Sequence, residues 1–248
     1  MLSTTYIAII LLASLSVIST IIGVILAFYF KKSVKGIVVG IGFSAGIMLL
    51  ISFFELVPES IVAAGIFKSS IALFLGALFI YILNLIIPHT HLIKEQGQID
   101  GHLLKVAYLV AFGLILHDFP EGFAMANSYI YKPALGVLIA LAIAIHNIPE
   151  EFAMAIPLFL TGKKKLLFKA AFLSALAEPI GAILGLVAVS FLPSLNPLFM
   201  AFATGAMVFI SIHELLPMAH KYKRTSLFIL GIVLSMVVYL LLGVFIPE

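Results

Sequence analysis

The chain has 248 residues, of which 63% are hydrophobic and only 10% are charged, and its mean hydropathy is +1.27. Soluble domains carry about 25% charged residues, so this composition predicts an integral membrane protein rather than a globular enzyme. Cysteine is absent, which excludes disulfide bonds and thiolate metal ligands. The formal net charge of +3 does not indicate a nucleic-acid-binding protein, because the basic residues are confined to short links between apolar stretches.

Eight apolar stretches are long enough to cross a bilayer as helices, which takes about 20 residues each. We number them spans 1 to 8; they cover residues 5–30, 36–60, 68–88, 103–130, 133–160, 166–192, 197–219 and 226–246. The first lacks the basic flank and cleavage pattern of a removable signal peptide, so we expect it to be retained. The links are short, and the sequence therefore predicts a single transmembrane domain over residues 1–248, built as an all-α bundle of eight helices.

The basic residues alternate between the two sides of this bundle. The odd-numbered links hold twelve of the fourteen, which are Lys31, Lys32, Lys35, Lys94, Lys105, Lys163, Lys164, Lys165, Lys169, Lys221, Lys223 and Arg224. The even-numbered links hold only Lys68 and Lys132. Cytoplasmic links are enriched in Lys and Arg, so the odd links are predicted to face the cytoplasm and both termini the outside.

Spans 2 and 7 share a sequence pattern at a fixed offset of 159 residues. FSAGIMLLISFFELVPE begins at Phe43 and FATGAMVFISIHELLPM begins at Phe202, and the matched positions include Gly, Met, Ile-Ser, Glu-Leu and Pro. Span 7 lies five helices after span 2, so the two copies cross the membrane in opposite directions. The pattern predicts a 3+2+3 architecture: three spans (5–88), a central pair (103–160) and three inverted spans (166–246). Inverted repeats are typical of transporters, with the binding site near the bilayer midplane.

The central pair carries one polar cluster twice, as LILHDFPEGFAMA in span 4 and IAIHNIPEEFAMAIP in span 5. His117 and Glu121 are four residues apart, as are His146 and Glu150, so each pair lies on one helix face. Two antiparallel spans can bring both pairs to one depth. Two imidazoles and two carboxylates suit Zn²⁺ and tolerate Fe²⁺, Mn²⁺ or Cd²⁺.

Further oxygen donors lie beside this set: Asp118 and Asn147 follow the two histidines, and Glu178 lies in span 6. An ionisable group in mid-span costs at least ~2.5–3.5 kcal/mol, which a bound divalent cation would offset. A purely structural network of His–carboxylate hydrogen bonds is the alternative. Pro120 and Pro149 leave helix carbonyls without donors, which predicts a kinked, polar-lined path.

Other polar residues are weaker candidates for contact with an ion. HELLP in span 7 resembles the start of a zinc-protease HExxH box, but Pro217 stands at the fifth position, so that motif fails. Candidates for a peripheral or supporting role are Glu151, His213, Glu214, Glu55 and Glu59. The third link carries three histidines that could receive a metal on the cytoplasmic side, and these are His89, His91 and His102.

The two clusters resemble the signature of the ZIP (Zrt-, Irt-like protein) family of divalent metal transporters. HDFPEG at 117–122 and HNIPEE at 146–151 match its fourth-helix and fifth-helix motifs, and AEPIGA in span 6 and HELLP in span 7 also resemble the family. The likeness runs through all eight spans and looks closest to the prokaryotic GufA-like branch. Two departures stand out: Asp118 replaces the usual asparagine, which could favour harder ions, and Glu151 replaces glycine.

The resemblance implies a binuclear metal centre halfway through the membrane. Its first site would use His117, Glu121, His146 and Glu150. Its second would use Asp118, Asn147 and Glu178, with Glu121 and Glu150 bridging both. It also implies that spans 1, 4, 5 and 6 move as a transport unit against a scaffold of spans 2, 3, 7 and 8, which is often dimeric.

The sequence therefore predicts an importer of divalent transition metals, Zn²⁺ foremost, in the plasma or inner membrane. No GxxxxGK[ST] motif is present, so the driving force would be ion gradients or the membrane potential. An intramembrane metal-dependent hydrolase, a channel-like metal pore and an efflux carrier are the alternatives. Small-residue faces on spans 2 and 7 could pack against a second copy of the chain.

Overall fold

The computed structural model describes residues 2–30, 33–86, 99–160, 162 and 164–246. Within these ranges all eight predicted spans are helical. Span 1 comprises Leu2–Ala13 and Leu15–Phe30, and span 2 comprises Val34–Leu50, the π-helical Ile51–Leu56 and Val57–Ala64. Spans 3 to 6 are Ile66–Ile86, Ile99–Tyr131, Pro133–Leu160 and Lys164–Phe191. Span 7 comprises a 3₁₀ turn at Pro193–Leu195, then Asn196–Ile210, the π-helical Ser211–Leu215 and Leu216–Lys221, and span 8 is Thr225–Phe245.

Seven of the described helices are long and apolar enough to cross a bilayer, and span 4 packs among them. The prediction of an all-α membrane protein is thus confirmed.

Two of the links between spans consist of a single residue. Gly65 alone separates spans 2 and 3; its φ of +84° suits glycine, and its N–H caps span 2 by donating to the Ile61 carbonyl. Lys132 alone separates spans 4 and 5, which makes them an antiparallel hairpin.

The spans pack in pairs that are distant in the sequence. The most extensive contacts join span 4 to span 6, span 2 to span 8, span 3 to span 7 and span 1 to span 5. The contact between spans 4 and 5 is the next most extensive. Spans 2 and 5, and spans 4 and 7, share smaller interfaces. Exchanging 1 with 6, 2 with 7, 3 with 8 and 4 with 5 maps this set of contacts onto itself.

Glycine permits the closest approaches within the four principal pairs. A Cβ on Gly122 would meet the Glu178 carbonyl, and one on Gly42 would meet the Phe228 carbonyl. The small-residue faces of spans 2 and 7 are therefore occupied inside the chain, span 2 by span 8 and span 7 by span 3, where Gly205 meets Leu73. The expectation that these faces pack against a second copy is wrong, because their backbones already lie against neighbouring helices.

The repeated segments of spans 2 and 7 each contain a π-helical stretch, which pattern alone did not predict. Both stretches directly precede a helical turn that contains Pro58 or Pro217. Proline lacks an N–H and clashes with the carbonyl four residues earlier, and a widened turn relieves that clash. Spans 4 and 5, by contrast, remain helical through Pro120 and Pro149.

Candidate metal centre

Spans 4 and 5 bring the two His–Glu pairs into one cluster. His117 Nε2 lies 2.9 Å from Glu150 Oε1 and 3.7 Å from Glu121 Oε1. His146 Nε2 lies 3.1 Å from Glu121 Oε1 and 3.7 Å from Glu150 Oε2. Each histidine thus contacts the carboxylate of its own span and that of the other. All four side chains are at most 4% exposed.

The backbone fixes which nitrogen of His146 faces the carboxylates. Its Nδ1 lies 3.0 Å from the Ala142 carbonyl, which can only accept a hydrogen bond, so Nδ1 carries the hydrogen. In the neutral ring, Nε2 then presents a lone pair to the Glu121 carboxylate, which is also an acceptor. Two acceptors at 3.1 Å need either a proton, carried by the ring or by the carboxyl group, or a metal ion.

The cluster has the size of a metal site. One ligand atom each from His117, Glu121 and Glu150 lie within 4.8 Å of one another. An ion at ordinary Zn–N and Zn–O distances of about 2.0–2.2 Å can contact such a set after small side-chain movements. The predicted first-site residues are therefore brought together.

Spans 2 and 7 add side chains that the motifs did not identify. Ser44 donates a hydrogen bond of 2.7 Å to Glu150 Oε2. Met48 Sδ lies 3.1 Å from His117 Nε2, and Ser211 donates to the same sulfur at 3.4 Å. These are polar or polarizable residues in apolar spans, which is the only sequence signal they carry.

Asp118 faces a separate polar group. Ser174 of span 6 lies 2.5 Å from Asp118 Oδ2 and 2.6 Å from Glu151 Oε1. Thr20 of span 1 donates to the same Glu151 oxygen at 3.0 Å. Gly23 makes room for this side chain, since a Cβ there would lie 2.6 Å from Glu151 Cβ. Glu151 thus belongs with Asp118, whereas Ser174 and Thr20 were not foreseen.

Asn147 and Glu178 form the third part of the centre. Asn147 Nδ2 donates to Glu178 Oε2 at 3.1 Å, and both side chains are buried. The predicted second-site residues are thus divided between two hydrogen-bonded groups. Within the described ranges, four buried oxygens of the centre lack a hydrogen-bond partner, and they are Glu121 Oε2, Asn147 Oδ1, Glu150 Oε1 and Glu151 Oε2.

The peripheral carboxylates have partners on other elements. Tyr239 of span 8 donates to Glu55, and Asn84 of span 3 donates to Glu214 at 3.0 Å. Glu59 forms an ion pair of 3.3 Å with Lys132, the residue that links spans 4 and 5.

The remaining candidate histidines are His213 of span 7 and the three histidines of the third link. The exposed His213 ring stacks on Phe209, with centroids 4.8 Å apart. His89 and His91 lie outside the described residues, and His102 lies on the helix Ile99–Tyr131.

Comparison with known proteins shows the family to which the chain belongs. A family model described as ZIP zinc transporter matches residues 88–247, more than half of the chain. The chain belongs to the ZIP family. The match covers both cluster motifs and spans 4 to 8, and the family membership predicted from HDFPEG and HNIPEE is confirmed.

Individual relatives match this ZIP protein along most of its length. It is 39% identical over 249 residues to zinc transporter ZupT of Streptococcus mutans serotype c, covering 92% of this chain and 93% of the relative. It is 38% identical to zinc transporter ZupT of Chlorobium luteolum, covering 93% and 95%, and 36% identical to that of Lysinibacillus sphaericus, covering 89% and 91%. The protein is a multi-pass transporter of the cell membrane and not an enzyme.

Proposed function

We propose that the protein imports divalent transition metal ions into the cytoplasm, with Zn²⁺ as its principal substrate and Fe²⁺, Mn²⁺ and Cd²⁺ as further substrates. One observation carries this proposal: His146 Nε2 lies 3.1 Å from a carboxylate oxygen of Glu121 in a buried cluster of two histidines and two glutamates. A divalent ion satisfies this arrangement and offsets the charge of both carboxylates. The names of the relatives and of the family support zinc as the first ion to test.

We propose His117, Glu121, His146 and Glu150 as the ligands of the first ion. A second ion would use Asp118, Asn147 and Glu178, with Glu121 and Glu150 bridging the two positions. The buried, unpartnered Glu121 Oε2 and Asn147 Oδ1 support such a position within the described part of the chain. Asp118 would join it by releasing Ser174.

Alternating access would follow from the way the spans divide. Three of the five most extensive contacts lie within spans 1, 4, 5 and 6, and the other two lie within spans 2, 3, 7 and 8. The smaller 2–5 and 4–7 interfaces join the two sets. This division supports an elevator-type movement of a transport unit (spans 1, 4, 5 and 6) along a scaffold (spans 2, 3, 7 and 8). The exchange symmetry of the contacts supports the 3+2+3 inverted repeat.

Metal uptake into proteoliposomes tests the proposal. Wild-type protein should take up Zn²⁺ with saturation. Glu121→Ala or Glu150→Ala should each abolish that flux, because each variant removes a proposed metal ligand whose carboxylate contacts both histidines. Thr204→Val is the control, since the Thr204 hydroxyl donates only to the Met200 carbonyl of its own helix among the contacts described here. Flux that does not saturate would indicate a pore, and no wild-type flux under either gradient direction would refute transport of these ions.

Dimer formation, which the family resemblance implies, is a separate proposal. A homodimer would use faces other than the small-residue stripes of spans 2 and 7, which pack within the chain. Spans 3 and 8 are the least buried of the seven apolar spans. Light scattering of the detergent-solubilised protein tests this proposal by its molecular mass.

A further inference from the structure

Ser44 connects span 2 to the metal cluster in a way that the motifs did not reveal. Span 2 approaches span 5 closely one turn earlier, where a Cβ on Gly40 would lie 2.9 Å from Pro149 Cβ. This approach brings the Ser44 hydroxyl, which is 1% exposed, to 2.7 Å from Glu150 Oε2. The His146 carbonyl lies 3.5 Å away, so the single hydroxyl hydrogen is directed to the carboxylate. Glu150 Oε1 then faces His117.

The equivalent place in the second repeat lacks this hydroxyl. At the offset of 159 residues, Ser44 corresponds to Ala203 in span 7. Span 7 packs on span 4, as span 2 packs on span 5, and Glu121 of span 4 corresponds to Glu150. Glu121 Oε2 is buried and has no hydrogen-bond partner among the described residues. Each bridging carboxylate thus has one oxygen without a hydrogen-bond partner in the described part of the chain, Glu121 Oε2 and Glu150 Oε1. They differ in that a hydroxyl of span 2 donates to Glu150, whereas no described hydroxyl donates to Glu121.

We propose that Ser44 is a positioning residue that fixes the Glu150 carboxylate in the orientation that binds metal. The inference rests on the proposed role of Glu150 as a ligand. Hydrogen bonds to a charged carboxylate are among the stronger ones, and an oriented ligand loses less freedom when the ion arrives. Glu121, to which no hydroxyl donates among the described residues, is the carboxylate that adjusts to the ion.

The test is uptake of Zn²⁺ by Ser44→Ala, compared with wild type and Ser44→Thr. Ser44→Ala should raise KM roughly tenfold while the maximal rate stays within about twofold, because the ligand set is intact but no longer oriented. Ser44→Thr retains the hydroxyl and should restore the KM to within about threefold of wild type. The control is Ser235→Ala, which removes a buried hydroxyl that donates to its own helix at the Ile232 carbonyl.

A second readout separates positioning from general damage. Zn²⁺ raises the melting temperature of a protein that binds it in the folded state. The Zn²⁺ concentration that gives half of this shift should rise in Ser44→Ala by the same factor as the KM, with the metal-free melting temperature close to that of Ser235→Ala.

Each outcome has one meaning. Equal KM values for Ser44→Ala and wild type, or a fall in maximal rate with unchanged KM, would overturn the positioning role. A loss of metal-free stability in Ser44→Ala with unchanged half-shift concentration would do the same. Absence of Zn²⁺ uptake and of any thermal shift in wild type would instead refute the proposed function itself.

Discussion

Asp118 and Glu151 are the acidic residues in which the two copies of the cluster differ, and they meet at one hydroxyl. Asp118 corresponds to Asn147, and Glu151 corresponds to Gly122. Ser174 lies 2.5 Å and 2.6 Å from the two carboxylates but has one hydrogen to donate. The second contact therefore requires a further hydrogen or a cation. The two acidic side chains that depart from the motif in spans 4 and 5 thus contact the same hydroxyl.

Asp118→Asn is expected to change which ions are carried. A carboxylate favours hard ions such as Mn²⁺ over Zn²⁺ more than an amide does, so the Mn²⁺/Zn²⁺ ratio of uptake rates should fall by about threefold or more. Competition between the two ions in proteoliposomes measures this ratio. Ser128→Ala, which removes a buried hydroxyl that donates to the Ala124 carbonyl, serves as the control. An unchanged ratio would show that Asp118 takes no part in ion selection.

The sequence predicted the cluster of two histidines and two glutamates better than it predicted the side chains that surround them. Spacing of four residues places His117 and Glu121 on one face by helix geometry alone. Ser44, Met48 and Ser174 lie on other spans, and their contacts depend on how each helix is rotated about its axis. No local pattern records that rotation, because a bilayer and a neighbouring helix are equally apolar.

At the level of elements, glycines decide how closely the helices approach. Gly42 of span 2 lies against the backbone of span 8 at Phe228, whereas a Cβ on Gly243 near the end of span 8 would meet nothing within 4 Å. The first position demands glycine for packing. At the second, alanine should favour the helix because glycine is the weaker helix former.

Gly42→Ala should therefore destabilise the protein, and Gly243→Ala should not. Overpacking typically costs about 1–3 kcal/mol, which should lower the melting temperature of Gly42→Ala by several degrees. Thermal unfolding in detergent, followed by loss of monodisperse protein, measures both variants. Equal melting temperatures would contradict the close packing of spans 2 and 8.

The π-helical stretches of spans 2 and 7 are the part of the secondary structure that the sequence did not predict. The repeat from Phe43 and Phe202 predicted that spans 2 and 7 share a conformation, and both contain a π stretch before a proline. Proline alone did not predict the stretch, since spans 4 and 5 remain helical through Pro120 and Pro149.

At the level of the whole molecule, the eight spans and their short links were predictable from hydropathy. The division into two sets of spans was implied by family resemblance, and the contacts between helices support it. The ion pair between Glu59 and Lys132 joins span 2, in the proposed scaffold, to the link between spans 4 and 5 of the proposed transport unit. Phe28 and Phe159, by contrast, join spans 1 and 5, both in the proposed transport unit, with ring centroids 4.9 Å apart.

Cross-linking can test relative movement of the two units in a chain that has no native cysteine. A reducible bifunctional thiol reagent on Glu59→Cys/Lys132→Cys should stop Zn²⁺ uptake, and reduction should restore it. The same reagent on Phe28→Cys/Phe159→Cys should leave uptake unchanged, since that bridge lies inside one unit. Uptake that persists in the fully cross-linked Glu59/Lys132 pair would contradict movement of spans 4 and 5 against span 2.

The short links also set a limit on how far such a movement can go. Three residues separate Phe30 from Val34, and four separate Phe191 from Asn196. An extended chain reaches about 3.3–3.6 Å per residue, so the link from Phe30 to Val34 can span at most about 14 Å and the link from Phe191 to Asn196 at most about 18 Å. These links join spans 1 and 2 on one side of the membrane and spans 6 and 7 on the other. The covalent length of these two links therefore limits how far the proposed transport unit can move relative to the proposed scaffold.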